Sequence, residues 1–301
     1  MMKKLILTIT ISTFSLIAFG QQEFMITHYM YNGLALNPAY AGVHESVSTG
    51  LLFREQWVGF PGAPKTQLAS IHSPINHRPI SLGAVLFRDK LGISTEVGGF
   101  FSYAYRIGLG GNLKLSMGLQ ASVHNYQVNY ADDDDIADLS DNLGNISELK
   151  WNIGTGVLLH TNRLYLGFSV PQLLKRKLDV DDSDGNFATL VRHYYVTAGY
   201  AFDVGNGIVV KPNILVKAVQ NAPVQIDLNA NVLIMEKIWV GASYRSLDSL
   251  DGLIALQLNP QIQIGYAVDI THTAIDATSH EIMINYIFQN PTNKIVTPRY
   301  F

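Results

Sequence analysis

The sequence predicts an all-β protein, a transmembrane antiparallel up-and-down β-barrel of about 14 strands with a short N-terminal segment before strand 1. The first reason is alternation: from Val224 to Val232 every second residue is apolar, and polar residues stand between them. Such a stretch forms a strand with one apolar and one polar face. The second reason is length, because about ten tilted residues cross a bilayer and the module recurs along the chain. The third is composition: 15% of residues are charged, against about 25% in soluble domains.

The first 20 residues predict a cleaved export signal. Lys3 and Lys4 precede an apolar run from Leu5 to Phe19, and Ala18-Phe19-Gly20 supplies small residues at the cleavage position. The alternative, a first transmembrane helix, is disfavoured because the run is short and polar residues follow it. We therefore expect a signal peptide at 1–20, an N-terminal periplasmic or plug segment at 21–46, the barrel at 47–288 and a C-terminal tail at 289–301, with the mature protein in the outer membrane.

The alternation places fourteen strands, and their connections set the orientation. The strands are predicted at 47–57, 65–73, 80–89, 95–106, 112–125, 149–161, 163–171, 191–203, 207–219, 223–234, 237–246, 250–258, 260–270 and 279–288. Short turns rich in Gly, Asn and Pro alternate with longer segments, of which the longest are 131–148, 172–190 and 271–278. This layout is typical of bacterial outer-membrane barrels, in which short turns face the periplasm and longer loops face outward.

The pleat assigns side chains to the lumen or to lipid. The residues predicted to face the lumen are Lys211, Asn213, Lys217, Gln225, Asp227 and Asn229. Their apolar neighbours are predicted to face lipid. The alternative is a soluble β-sandwich or propeller, but strands in such folds average five or six residues and these are about twice as long.

The sequence favours no enzyme, cofactor or metal. The histidines are scattered, and Ser279-His280-Glu281 cannot form a catalytic triad because strand neighbours point to opposite faces. Acidic clusters at 132–141 and 179–184 could collect calcium, yet neither has the spacing of a calcium loop, so we expect solvated loops. The formal charge of −3 and the lack of a basic patch predict no nucleic-acid partner.

Two segments are not explained by barrel physics. Gln21 to Gly42 carries apolar and aromatic residues that must pack in the lumen, under the barrel or on a partner. Arg54 to Thr66 is a rim loop stiffened by Pro61 and Pro64.

At these residues the chain resembles the PorP/SprF outer-membrane proteins of the Bacteroidetes type IX secretion system. The similarity lies in the Asn37-Pro38-Ala39-Tyr40-Ala41-Gly42 element and in the run formed by Arg54, Gln56, Trp57, Gly59 and Phe60. Further matches extend to the last strand, where Ser279-His280-Glu281-Ile282 opens it.

The resemblance implies a non-enzymatic role in secretion or surface attachment of a partner protein such as an adhesin. It also implies that the two matching runs bind partners. On this resemblance the Asn37 to Gly42 element and the short turns would face the periplasmic partners, and the acidic external loops would meet the secreted client. The partners it implies are periplasmic ring components, a peptidoglycan-linked lipoprotein and a secreted surface protein client, beside the outer-membrane lipids. The alternative function is a passive porin or solute channel, which the polar lumen-facing positions would support; a lipid-modifying enzyme is more distant.

Overall fold

The computed structural model describes residues 24–75, 78–129, 146–178, 188–220, 222–272 and 277–288. The chain enters through a 3-10 turn at Tyr29–Tyr31, a one-turn helix at Gly33–Leu36 and a second 3-10 turn at Pro38–Tyr40. Strands follow, and their bounds are β1 Ser48–Glu55, β2 Lys65–Pro74, β3 Ile80–Leu91, β4 Ser94–Gly110, β5 Leu113–Val128, β6 Ile146–His160, β7 Leu164–Val170, β8 Arg176–Leu178, β9 Ala188–Leu190, β10 His193–Tyr200, β11 Phe202–Gly205, β12 Ile208–Val219, β13 Gln225–Ile234, β14 Ile238–Arg245, β15 Ser249–Gln257, β16 Ile262–Thr271 and β17 Thr278–Ile287.

Fourteen of these strands form a closed antiparallel barrel, which confirms the predicted fold class. Each strand pairs with its neighbours in sequence, β10 pairs with β12, and β1 closes the ring by pairing with β17, from Ser48–Ile287 to Glu55–His280. Closure removes the unpaired edges that an open sheet would leave. No helix in the described ranges is long and apolar enough to cross a membrane.

The fourteen predicted strands correspond to the observed ones, with two differences. The predicted strand 191–203 is divided at Ala201: β10 pairs with both β7 and β12, whereas β11 pairs with β12. The division arises because β7 begins at Leu164, opposite Tyr200, so its ladder with β10 ends there. The segment 172–190, predicted as a loop, contains a small hairpin of β8 and β9.

The connections between the strands distinguish the two ends of the barrel. The turns after β4, β6, β11, β13 and β15 lie at the same end as Ser48 and Ile287. By the general rule for bacterial barrels this is the periplasmic end, and the end that carries the loops after β1, β5, β7 and β16 is the outer end.

Burial alternates along the strands, with apolar side chains outside and polar ones inside. Phe101, Leu119 and Leu166 are among the exposed residues of the outer face. Inward positions such as Ser116, Gln120 and Asn231 are buried. This inversion of a soluble protein's pattern fits an apolar solvent around the barrel.

Candidate functional site: the plug and its charged anchor

The lumen is occupied by residues 24–43, which we call the plug. At the outer end Phe24 packs on Phe87, with ring centroids 5.2 Å apart. Near the periplasmic end the amide N–H of Gly42 donates to Nδ1 of His72 at 3.1 Å. The plug therefore runs from the outer end inward, and only then does the chain enter β1.

The periplasmic half of the plug fits a groove made by glycines of the barrel wall. A Cβ atom at Gly118 would lie 2.2 Å from the backbone nitrogen of Ala39, and one at Gly156 would lie 2.1 Å from Oδ1 of Asn37. No larger residue at these positions would admit the plug so close to the strands.

Hydrogen bonds also hold the periplasmic half of the plug. Asn37 Oδ1 accepts from the Ala39 N–H at 2.9 Å, which caps the second 3-10 turn, and Asn37 Nδ2 donates to the carbonyl of Val157 at 3.0 Å. Ser169 Oγ donates to the carbonyl of Leu36 at 2.6 Å. The helical turns thus receive partners from their own side chains and from the wall, as buried backbone requires.

The outer half of the plug is held by charge. Thr27 Oγ1 donates to the carboxylate of Asp269 at 2.8 Å and accepts from Nη1 of Arg54 at 2.9 Å and from Nη2 of Arg245 at 3.3 Å. One hydroxyl supplies one donor and two acceptor positions, so this one is saturated.

The carboxylate of Glu281 binds the plug mainly through backbone N–H groups of the plug. Its Oε2 accepts from the Thr27 N–H at 2.8 Å, and its Oε1 accepts from the His28 N–H at 2.7 Å. The Nδ1 atom of His28 also lies 2.7 Å from Oε1. Glu281 is fully buried, so these charge-assisted bonds replace its hydration.

These residues belong to a buried set that crosses seven neighbouring strands, here called the charged wall. From β12 through β17 to β1 it consists of Lys217, Asp227, Arg245, Asp251, Asp269, Glu281 and Arg54. Arg245 reaches Asp227 at 3.1 Å, Asp251 at 3.5 Å and Asp269 at 3.5 Å, and it also pairs with Asp248 at 3.2 Å. Arg54 Nη2 lies 2.6 Å from Asp269. Opposite charges on adjacent strands compensate one another in a site that excludes bulk water.

Aromatic contacts hold the rest of the plug. Phe24 faces Phe87, which packs in tilted contacts on Phe100 and on His124 at centroid distances of 5.1 and 5.6 Å. Farther along, Lys211 Nζ lies 5.1 Å from the ring centroid of Tyr31. Burial raises the pKa of the Tyr31 phenol, so the ring that Lys211 faces stays neutral.

One cavity borders the plug and another lies at the periplasmic mouth. One, lined by Tyr29, Asn37 and Tyr165 among others, has a volume of about 10 Å³, room for about one water molecule. The other, of about 170 Å³, opens at the periplasmic mouth and is lined by Arg78, Arg106 and Lys114 among others.

The residues predicted to bind partners do not lie on one common surface. Asn37 to Gly42 are buried in the lumen, and Arg54 and Gln56 are buried at the outer end of β1. Only Gly59 and Phe60 are exposed, on the rim loop, while the Trp57 side chain is half-buried and the backbone N–H of Trp57 donates to Ser279 Oγ at 3.2 Å. Lys211, Asn213, Lys217, Gln225, Asp227 and Asn229 all lie on the buried, inward face.

Ser279 and Glu281 point inward, whereas His280 is on the other face and bonds to the Tyr266 hydroxyl at 2.6 Å. In the described ranges no three His, Asp or Glu side chains are arranged to hold a metal ion. Both acidic clusters, at 132–141 and 179–184, lie outside the described residues.

Sequence reasoning missed Arg245, Asp251 and the role of Glu281. Each stands on the inward face near the outer end of its strand, so the alternation alone would have shown an unusual density of charge there. The plug that these charges hold could not be read from the strands.

Comparison with known proteins gives a family and a fold. The family model described as type IX secretion system membrane protein PorP/SprF matches residues 18–286. Among solved structures, the CymD monoaromatic hydrocarbon channel is similar with a TM-score of 0.51 and 12% identity over 86% of this chain and 93% of that one. The Ralstonia pickettii toluene transporter TbuX gives 0.50 and 11% over 84% and 92%. No curated protein matches. At such identities the solved structures establish an outer-membrane barrel and nothing finer.

Proposed function

This chain belongs to the PorP/SprF family of type IX secretion system membrane proteins, and on that basis we propose that it is a non-enzymatic barrel component supporting secretion or surface attachment of a partner protein such as an adhesin. The observation that carries the proposal is the extent of the family match. It spans residues 18–286 and so includes both the plug and the barrel.

The filled lumen supports this role over the alternative of a passive porin. The plug contributes fully buried residues such as Ala39 and Ala41 between the walls. A permanent pore would need a continuous aqueous path, as in the larger porins. A secretion accessory needs surfaces for partners rather than an open channel.

The proposed partners divide between the two ends. The rim loop, with exposed Gly59 and Phe60, is proposed to meet the secreted client. The periplasmic end is proposed to meet ring components and a peptidoglycan-linked lipoprotein, and the exposed apolar face to meet outer-membrane lipids. Because Asn37 to Gly42 are buried, we propose that this element serves partners by fixing the plug, with direct contact only through the periplasmic mouth.

The test combines a pull-down with a gene deletion in the native organism. Tagged protein is purified gently from the envelope and its companions are identified by mass spectrometry, while secreted and surface proteins are compared with and without the gene. We expect secretion-ring lipoproteins and one exported protein that is lost from the surface on deletion. A partnerless barrel that conducts ions, with an unchanged surface proteome, would favour the porin function instead.

A further inference from the structure

The cavity of about 170 Å³ at the periplasmic mouth of the barrel has a cationic lining. Among its described lining residues Arg78, Arg106 and Lys114 carry positive charge, and none is acidic. The chain as a whole has a formal charge of −3, so this local excess does not follow from its composition. The volume exceeds roughly tenfold what one water molecule needs, which leaves room for a side chain.

The guanidinium group of Arg106 is held in place. Its Nε donates to Ser116 Oγ and its Nη2 donates to the carbonyl of Ala41, both at 3.2 Å. The backbone N–H of Arg106 donates to the carbonyl of Pro79 at 2.7 Å, which ties β4 to the turn that carries Arg78. A guanidinium group that is already oriented loses little conformational freedom when it binds an anion.

Arg78 is the accessible cation of the cavity. Its side chain is exposed and, within the part of the chain that the structure describes, has no hydrogen-bond or ion-pair partner. Its guanidinium group is therefore available to a ligand, and its planar fork matches a carboxylate.

The third cation shows which anion the lining accepts. Lys114 forms an ion pair with Glu45, which lies just before β1. Glu45 has a backbone φ of +55°, in the left-handed region that residues other than glycine rarely adopt. The chain thus places a carboxylate of its own on this lining although the backbone conformation it requires is unfavourable.

The cavity is entered from the periplasm. Ser81, which lines it, is buried on the inward face of β3. A Cβ atom at Gly42 of the plug would lie 2.2 Å from Oγ of Ser81, so the plug fills the lumen on the other side of this residue. The lining therefore faces the lumen mouth rather than the lipid around the barrel.

We propose that this cavity binds a carboxylate of an acidic peptide segment in a periplasmic protein. Arg78 and Arg106 are its guanidinium partners, and Glu45 is the competing carboxylate of the chain itself. That the ligand belongs to a protein rests on the proposed function, which puts protein partners at this end. A phospholipid headgroup fits less well because the lining does not face the bilayer.

The test measures binding of a fluorescein-labelled tetraglutamate peptide by fluorescence anisotropy. The full mature chain is held in phosphatidylcholine nanodiscs at about 0.15 M salt, where charges more than about 8 Å apart are largely screened. We expect Arg78→Glu to weaken binding by at least about tenfold, because it removes a charge-assisted partner and adds a repulsive one. Glu45→Gln should strengthen binding about two- to fivefold, because it removes the internal competitor, and misfolding would not produce such a gain.

The matched control is Lys237→Glu, which makes the same charge change in the exposed turn between β13 and β14 at the same end of the barrel. It should leave the affinity unchanged. Equal weakening by Lys237→Glu and Arg78→Glu would overturn the proposal, since the attraction would then be general. Absence of binding, or displacement of the peptide by phosphatidylglycerol in the disc or by inorganic phosphate, would overturn it as well.

This readout contains no secretion step, so the two proposals can fail separately. A chain that binds tetraglutamate through Arg78, yet whose deletion leaves the surface proteome unchanged, would refute the proposed function and leave the site standing. A chain that is recovered with secretion-ring lipoproteins but does not bind the peptide would keep the function and lose the site.

Discussion

At the scale of single residues, Thr27 shows how a neutral side chain can organise charged ones. Its hydroxyl lies between Asp269, Arg54 and Arg245, and every position for a hydrogen bond is used. Without it the two guanidinium groups and the carboxylate lose a shared partner in a site that water cannot easily reach.

Replacing Thr27 with valine should therefore weaken the protein although the shape is nearly conserved. We expect the Thr27→Val variant to lose about 1–3 kcal/mol of unfolding free energy, the cost of unsatisfied buried polar groups. Guanidinium unfolding in lipid vesicles measures it. Thr27→Ser keeps the hydroxyl and should stay close to the parent; similar losses in both variants would contradict this account of the anchor.

At Gly118 the plug is held by the close approach of its backbone to the barrel wall rather than by charge. A methyl group there would meet the backbone nitrogen of Ala39 at 2.2 Å, and that atom cannot move without moving the plug. We expect Gly118→Ala to lower the temperature at which the folded barrel unfolds on a gel. Gly252→Ala is the control because its Cβ would meet only Val268 Cγ1, at 3.7 Å. Equal behaviour of the two variants would show that the groove tolerates more than its geometry indicates.

At the scale of elements, the strands follow from local pattern. A period of two needs no knowledge of partners, so the inward and outward faces of β13 could be assigned from Gln225 to Ile234 alone. The break at Ala201 could not, because alternation continues through it, with Tyr200 and Phe202 both exposed. The position of this break depends on where the neighbouring strand β7 begins.

The plug is the element with the clearest functional test. Deleting residues 22–42 removes the side chains that fill the lumen, so single-channel conductance in planar bilayers should rise well above that of the intact protein. The rim variant Phe60→Ala alters an exposed side chain outside the lumen and should leave conductance unchanged. A large conductance of the intact protein would be inconsistent with a plugged barrel.

At the scale of the whole molecule, ring closure brings distant residues together. Arg54 and Glu281 come from the first and last strands, which pair directly, and Nη1 of Arg54 lies 3.5 Å from Oε2 of Glu281. The charged wall exists only because seven strands are aligned in one register.

The orientation of the barrel follows from its two kinds of ends and can be tested with single cysteines in intact cells. Phe60→Cys and Leu247→Cys are exposed at the outer end and should react with a membrane-impermeant maleimide. Glu236→Cys lies in an exposed turn at the periplasmic end and should react only after the outer membrane is opened. The reverse pattern would invert the assignment of the two ends.

The sequence by itself determined the fourteen strands of the barrel, the two faces of each and the family resemblance, since these depend on residue order over about ten positions. It did not determine the break at Ala201 or the hairpin of β8 and β9. It also showed that Gln21 to Gly42 must be packed somewhere, but left open where. Only the tertiary structure decided that the plug lies in the lumen, that Asn37 meets Gly156, and that Thr27 meets Asp269 and Glu281. The physical reason is that these contacts join residues more than a hundred positions apart, and they form only once the barrel has closed around the segment.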